Sequence, residues 1–302
     1  MIVSASYRTD IPAFYGDWFM RRLKAGVCRV RNPYGGQTHE IPLDHAAVDG
    51  FVFWTRNPGP FRAALDEVAA RDFPFMVQVT VTGYPRQLEA SVLAPERVVA
   101  LVDELARAYG PRVAVWRYDP LLITSLTPPD WHRRNFTNLA RAFAGKVDEV
   151  VFSCAQIYAK TRHNLNRAAA RHGFTWHDPP EADKRALLNE LAEVARDLGL
   201  TPTLCAQPEL LSPGLVPARC IDAGRLSDVA GRAIGARTKG NRPGCLCAES
   251  RDIGAYDSCP HGCVYCYAVR NPGLAKRRYQ THDPASPFQI PPSQGAAAGA
   301  AD

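Results

Sequence analysis

Residues 50–58 have the sequence GFVFWTRNP. Residues 50–54 form an apolar run of strand length, and residues 55–57 form a polar string. Pro58 then precedes a segment whose apolar side chains recur at helical spacing, at Phe61, Leu65 and Val68. The order of structure predicted here is strand, polar loop and helix.

The same order recurs along most of the chain. Apolar runs predict strands at residues 2–6, 27–30, 50–54, 75–81, 113–116, 149–154 and 202–206, the second being the weakest. Helical spacing separates most of them, and parallel neighbours need such crossover helices. We expect an α/β fold built as a (β/α) barrel of seven or eight units, either complete or in an incomplete or permuted form. The alternative is an open doubly wound sheet, which is weakened because no glycine-rich dinucleotide fingerprint follows any strand.

Composition changes divide the chain into three predicted parts. Residues 1–218 would form the barrel domain. Residues 219–280 would be a cysteine-rich, cluster-binding extension. The composition changes within it, since residues 237–258 are rich in Gly, Pro and Asn. Residues 281–302 consist largely of Pro, Ser, Gln, Ala and Gly, and we expect them to be disordered.

The bulk properties are those of an ordinary globular protein. The chain has 302 residues, of which 46% are hydrophobic, and a formal net charge of +6. That charge suits either a polyanionic partner or a solvated surface. The N-terminus lacks the basic and apolar regions of an export signal, and no apolar run reaches the length of a membrane span, so we expect a cytoplasmic protein. In a reducing compartment, clustered cysteines indicate metal binding or catalysis.

Three cysteines lie close together near the C-terminus. Cys259, Cys263 and Cys266 have the spacing C-x3-C-x2-C, and Gly262 gives their loop backbone freedom. Three thiolates suit soft metals, and a triplet this compact favours an iron–sulfur cluster over zinc. Upstream, Cys245 and Cys247 would bind a second metal, supply a fourth ligand that caps the cluster, or act as a redox pair.

The spacing of the triplet, with Tyr265 before its last cysteine, resembles the radical S-adenosylmethionine (SAM) superfamily. The string CPHGCVYCYA at residues 259–268 is most similar to the branch related to spore photoproduct lyase. The resemblance implies a [4Fe–4S] cluster on the three cysteines, SAM on its open iron, and a 5′-deoxyadenosyl radical acting on an unknown substrate, possibly nucleic acid. It also implies a reductant such as flavodoxin or ferredoxin.

In radical SAM enzymes, however, the cysteine loop follows the first barrel strand. Here it follows all the predicted strands, as a circular permutation would place it.

A longer resemblance covers nearly the whole chain. The strings SYRTDIP at 6–12, VFWTRNP at 52–58, WRYDP at 116–120 and DIG at 252–254, together with the cysteine loop, resemble an uncharacterised bacterial family. It is number 1848 in the series of domains of unknown function. This resemblance implies no substrate.

Polar residues at the predicted strand ends would line the site, because barrel enzymes place their chemistry there. We assign the pairs Arg8 with Asp10 and Arg117 with Asp119 either to structural ion pairs or to catalysis. The residues assigned to cofactor binding are Arg56, Asn57, Gln78 and Tyr265. Trp54 and Trp116 should pack in the core, and His261 should support the metal loop without ligating the metal.

Two other functions use the same residues. One is a metal-binding protein without radical chemistry, in which zinc or a fully ligated cluster fixes the extension. The other is a hydrolase or lyase that uses the ring of Arg, Asp and Glu side chains.

Overall fold

The computed structural model describes residues 1–292, which form alternating strands and helices. The strands are β1 (Ile2–Ala5), β2 (Val27–Arg31), β3 (Thr38–Pro42), β4 (Gly50–Thr55), β5 (Phe75–Thr80), β6 (Ala114–Leu121), β7 (Glu149–Cys154), β8 (Thr201–Leu204), β9 (Val216–Pro217) and β10 (Ser250–Asp252). The helices are α1 (Ile11–Phe14), α2 (Gly16–Ala25), α3 (Arg62–Ala70), α4 (Pro95–Tyr109), α5 (Pro129–Phe143), α6 (Ala159–His172), α7 (Glu181–Asp197), α8 (Ala223–Ala230) and α9 (Pro272–Gln280). Short 3₁₀ turns cover Gly59–Phe61 and Pro208–Leu210.

Eight of these strands form one sheet in the order β10-β1-β4-β5-β6-β7-β8-β9. All seven pairings in it are parallel. The predicted parallel α/β sheet is therefore confirmed, and its closure into a barrel stays a prediction.

Both faces of the sheet are buried, as parallel sheets require. Along β6, Trp116 and Tyr118 point into the large core under the helices, whereas Val115 points into a second cluster. That second cluster is completed by side chains between residues 218 and 248. Residues 218–248, which precede β10, therefore cover the face of the sheet opposite the main core.

The predicted strand at residues 27–30 does not join the parallel sheet. β2 pairs with β3 as a separate antiparallel hairpin. Its arginines are exposed, and Arg29 donates to Glu40 across the hairpin at 2.7 Å. From β2, Cys28 lies in the core and Val30 packs against it, whereas Arg29 and Arg31 face solvent, so this strand has one polar face and cannot be buried on both sides.

The predicted extension at residues 219–280 supplies part of the sheet. β10 pairs with β1 over Ile2–Ser250, Val3–Arg251 and Ser4–Asp252, and the next residue, Ile253, lies in the main core. The extension and the preceding domain are thus joined by a shared sheet and core.

Residues 281–292 also pack on the protein. Trp18 Nε1 donates to the Ser286 carbonyl at 3.1 Å, and the Arg29 amide donates to the Pro287 carbonyl at 2.8 Å. The Gln289 side chain accepts from the Ala255 amide at 2.8 Å. The prediction of disorder is therefore wrong for residues 281–292, and its remainder, 293–302, lies outside the described residues.

Within residues 1–292, no helix is both long and apolar enough to cross a membrane.

Candidate metal centre

The cysteine loop, residues 259–266, lies at the carboxyl edge of the sheet. It follows β10, and β10 lies beside β1, so the last strand in the chain occupies the position before the first. The loop runs against residues 88–91: the Ser91 amide donates to the His261 carbonyl and the Val264 amide donates to the Leu88 carbonyl, both at 3.0 Å. Its three thiols are free and partly buried.

His261 ties the cysteine loop to the end of β1. Its Nε2 lies 2.8 Å from Asp10 Oδ2, and its Nδ1 lies 3.3 Å from the Ser91 carbonyl oxygen. Asp10 also accepts from the Arg56 amide at 2.8 Å and caps α1 at the Ala13 amide at 2.9 Å. Because both ring nitrogens of His261 are engaged, it has the supporting position that the sequence suggested.

Tyr265 ties the loop to the end of β4 through a buried charge pair. Arg56 Nη1 lies 2.9 Å from Glu89 Oε1, and both side chains are almost fully buried. The Tyr265 hydroxyl hydrogen bonds with both Arg56 and Glu89, and Thr82 Oγ1 donates to Glu89 at 2.5 Å. Sequence reasoning missed Glu89, since it lies within the loop between β5 and α4 and does not directly follow a strand.

The thiols of the loop hold their protons in this environment. Burial raises the pKa of Cys263 to about 12, with Arg56 acting in the opposite direction. Burial likewise raises the pKa of Cys259 and of Cys266, and Asp10 adds to the effect on Cys259. Cys263 and Cys266 both raise the pKa of Cys259, and Cys266 raises that of Cys263, so the three thiols share one electrostatic environment. A metal would have to displace their protons, which couples its binding to pH.

The donor set fits a soft metal in its chemistry. Three thiols come from one loop, and the positive charge of Arg56 lies near them. In their present arrangement, the side chains of residues 1–292 include no group of three or more His, Cys, Asp or Glu that could hold a metal ion. Each thiol turns about a single χ1 bond, so rotation is the movement by which the three would converge.

The predicted ion pair between Arg8 and Asp10 is wrong. Arg8 Nε lies 3.7 Å from Asp252 Oδ1, at the end of β10, and Asp10 is engaged with His261. Asp252 accepts from Ser6 Oγ at 2.6 Å and from the Tyr7 amide at 3.0 Å. The apolar pattern predicts no strand at 250–252, so it did not indicate Asp252 as the partner of Arg8.

The predicted ion pair between Arg117 and Asp119 is present. Arg117 Nε donates to Asp119 Oδ2 at 3.0 Å, and Ser153 donates to the same carboxylate. Burial alone would raise the pKa of Asp119, but Arg117 and Ser153 outweigh it, and the pKa is lowered. The pair stays ionised at neutral pH.

The remaining predicted residues lie in different surroundings. Gln78 bridges Arg117 and the Cys220 carbonyl, on the face covered by residues 218–248. Asn57 caps a turn by accepting from the Gly59 amide at 3.1 Å. Trp116 is core, as predicted, whereas Trp54 is partly exposed beneath the Arg117 guanidinium, 5.1 Å from its ring centre.

Cys245 and Cys247 meet two other cysteines. Cys247 lies in the second core cluster together with Cys205 and Cys220, and Cys245 packs against that cluster. Cys220 Sγ lies 3.5 Å from Cys205 Sγ. Cys205 and Cys220 stand alone in the sequence, and the fold brings them together with the C-x-C pair.

Comparison with known proteins identifies a family without an assigned activity. No curated protein and no solved structure matches the chain. The model of one family, described as a domain of unknown function, DUF1848, matches residues 2–268. The chain therefore belongs to the DUF1848 family.

Proposed function

We propose that this chain is a radical SAM-type enzyme whose Cys259, Cys263 and Cys266 hold a [4Fe–4S] cluster. The observation that carries the proposal is the position of the cysteine loop. It follows the strand that lies before β1 in the sheet and reaches the carboxyl ends of β1 and β4. That is the spatial order expected of a permuted radical SAM fold, and the carboxyl edge is where parallel α/β folds place their sites.

The chain's own residues would prepare this edge. When bound, the cluster would supply the electron that cleaves SAM into a 5′-deoxyadenosyl radical, which takes a hydrogen atom from the substrate. Arg56 lowers the pKa of Cys263 and Cys266 against burial, which favours the thiolates that iron requires. His261 and Tyr265 orient the loop through Asp10 and Glu89.

The placement of the C-x-C pair supports an open iron. Cys245 and Cys247 pack with Cys205 and Cys220 in the second core cluster, whereas Cys263 packs against a different one. A cluster on the three thiols of the cysteine loop would then have one iron open for SAM. The substrate, its nucleic-acid character, the reductant and the cytoplasmic location stay predictions.

The test is anaerobic reconstitution with iron and sulfide, followed by dithionite reduction in the presence of SAM. We expect about four iron atoms per chain at the loop and release of 5′-deoxyadenosine. Cys263→Ala should abolish the release of 5′-deoxyadenosine and lower the bound iron by about four atoms per chain. Cys28→Ala, which removes a buried cysteine of the hairpin, should keep both signals.

Two outcomes would overturn the proposal. A reconstituted protein that holds the cluster and releases no 5′-deoxyadenosine would support the metal-binding protein without radical chemistry. Retention of iron by the chain with Cys259, Cys263 and Cys266 all changed to alanine, at the wild-type amount, would place the cluster elsewhere.

A further inference from the structure

Four cysteines from distant parts of the chain meet on the second face of the sheet. We name Cys205, Cys220, Cys245 and Cys247 the thiol quartet. Cys205 follows β8, Cys220 follows β9, and the other two precede β10. All four lie in or against the second core cluster, and Cys220 Sγ lies 3.5 Å from Cys205 Sγ.

The quartet is buried and its backbone is fixed. Cys205, Cys220 and Cys247 are each at most 9% exposed. The Ala248 amide donates to the Ile221 carbonyl and the Lys239 amide to the Cys247 carbonyl, both at 2.9 Å. The Ile221 amide points at Cys247 Sγ from 3.4 Å. Backbone amides directed at sulfur are typical of thiolates that ligate a metal.

The loop that carries Cys245 is folded tightly around the quartet. A Cβ added at Gly240 would lie 2.3 Å from the Cys245 carbonyl oxygen, so the backbone approaches too closely for any side chain. The neighbouring Lys239 is held to Cys247 by the backbone hydrogen bond described above. The loop thus presents both thiols from a defined backbone.

Two guanidinium groups donate to the quartet. Arg117 Nη1 lies 3.0 Å from Cys220 Sγ, and Arg242 Nη2 lies 3.4 Å from Cys205 Sγ. The other hydrogen bonds of Arg242 go to neutral oxygens of Gln156, at 2.9 Å, and of Cys205. Neutral thiols are weak acceptors, and a charged donor is better matched by a thiolate. Arg117 is already paired with Asp119, so it is the charge of Arg242 that suits a neighbouring sulfur in its anionic, metal-ligating form.

We propose that the thiol quartet is a second metal centre, in which four thiolates bind a thiophilic metal as a zinc ion or an iron–sulfur cluster. Both choices share this ligand chemistry. The thiols lie in one cluster and do not yet surround one point, in keeping with the absence of a preformed ion site in residues 1–292. Binding would turn the thiols about χ1 toward the metal and release their protons to solvent. Metal binding would link Cys245 and Cys247, which precede β10 at one edge of the sheet, to Cys205 and Cys220, which follow β8 and β9 at the other edge.

The test removes the cysteine loop's thiols first, so that it does not depend on the proposed function. The full chain with Cys259, Cys263 and Cys266 changed to alanine is purified anaerobically and supplied in parallel with Zn²⁺ or with iron and sulfide. We expect about one zinc ion or about four iron atoms to stay bound per chain. Adding Cys220→Ser and Cys247→Ser should remove this metal, whereas adding Cys28→Ser and Cys154→Ser should retain it.

A second measurement leaves the quartet intact. Titration of the same triplet-free chain with Co²⁺ should produce the intense thiolate-to-cobalt absorption of a four-sulfur site, saturating at one equivalent. Absence of this absorption together with absence of bound zinc or iron would overturn the proposal, as would metal that survives loss of Cys220 and Cys247. The proposed function would stand in either case, because it concerns the metal of the other three cysteines.

Discussion

The two cysteine groups differ in how the chain assembles them. The cysteine loop has all three thiols within residues 259–266, whereas the thiol quartet collects its members from residues 205–247. The loop takes its position from long-range anchors, His261 on Asp10 and Tyr265 on Arg56 and Glu89. The quartet needs the fold in order to exist at all. A site of the first kind is visible in a sequence, and a site of the second kind is not.

The charges beside the two groups are also balanced differently. Arg56 is paired with the buried Glu89, whereas Arg242, beside the quartet, has neutral hydrogen-bond partners. Arg117, which contacts Cys220, is paired with Asp119. Loss of Glu89 should therefore leave an unpaired charge beside the cysteine loop and not beside the quartet. Four predictions test this difference.

The largest effect is expected for Glu89→Gln. The change leaves Arg56 buried without its counter-charge, which should lower the free energy of unfolding by about 3–5 kcal/mol. Urea unfolding measures the loss. In hydrogen exchange, protection should fall in peptides covering 255–268 and not in those covering 240–248. Glu67→Gln, at a partly exposed pair with Arg71, should cost less than about 1 kcal/mol; equal losses for the two variants would contradict the comparison.

Gly254→Ala should displace the segment that leads from β10 into the cysteine loop. The added Cβ would lie 2.2 Å from Ser6 Oγ and 2.6 Å from Ser6 Cβ, and overpacking of this kind costs about 1–3 kcal/mol. The measurement is thermal unfolding, with Gly235→Ala as the control because nothing lies within 4 Å of its new Cβ. Unchanged stability for Gly254→Ala would mean that residue 254 is free to move away from β1.

Mild acid should destabilise the protein through His132, which packs edge-on against Tyr84, itself packed against Tyr265 of the cysteine loop. Burial lowers the pKa of His132 to about 4 from an ordinary 6.5, so the folded state keeps it neutral while the unfolded state is protonated. Stability is full above pH 6.5 and falls between pH 6.5 and 4, by about 1.4 kcal/mol at pH 5.5. The lowered pKa of Asp119 affects stability only below its ordinary value of 3.8.

The measurement is urea unfolding at pH 7 and at pH 5.5. His132→Asn should flatten the difference between them, and His39→Asn, on the exposed hairpin, should leave it in place. A difference that survives in His132→Asn would assign the acid sensitivity to another group.

The smallest effect is expected for Tyr265→Phe. It removes one hydroxyl shared by Arg56 and Glu89 but leaves their ion pair, so the loss of stability should be about 1 kcal/mol. Tyr267→Phe is the matched control, since its partly exposed hydroxyl bonds only the Tyr7 carbonyl. A loss as large as that of Glu89→Gln would show that the hydroxyl, and not the charge pair, holds the loop.

Local pattern predicted much of the fold. The runs at 2–6, 50–54, 75–81, 113–116, 149–154 and 202–206 all became strands of the parallel sheet, because apolar runs between helical segments have few other ways to be buried. The pattern failed at 27–30, where exposed arginines belong to a hairpin. It also missed β10, a three-residue strand with a serine, an arginine and an aspartate.

The candidate site was predicted in part. The triplet was evident from its spacing, and Arg117 with Asp119 from their separation of two along a strand. Arg8 took Asp252 as its partner in place of Asp10, since β10 brings that carboxylate beside β1. Glu89 belongs to no recognisable motif, and it acts as the counter-charge of Arg56 only because the fold buries the two together.

The sequence by itself determined the alternation of strands and helices and the three thiols of the cysteine loop, because both depend on residues that are neighbours along the chain. Only the tertiary structure decided that β10 precedes β1 in the sheet, that the cysteine loop reaches Asp10 and Arg56, and that four distant thiols meet. Those contacts join residues far apart in the chain, and they form only when the burial of both sheet faces brings the segments together.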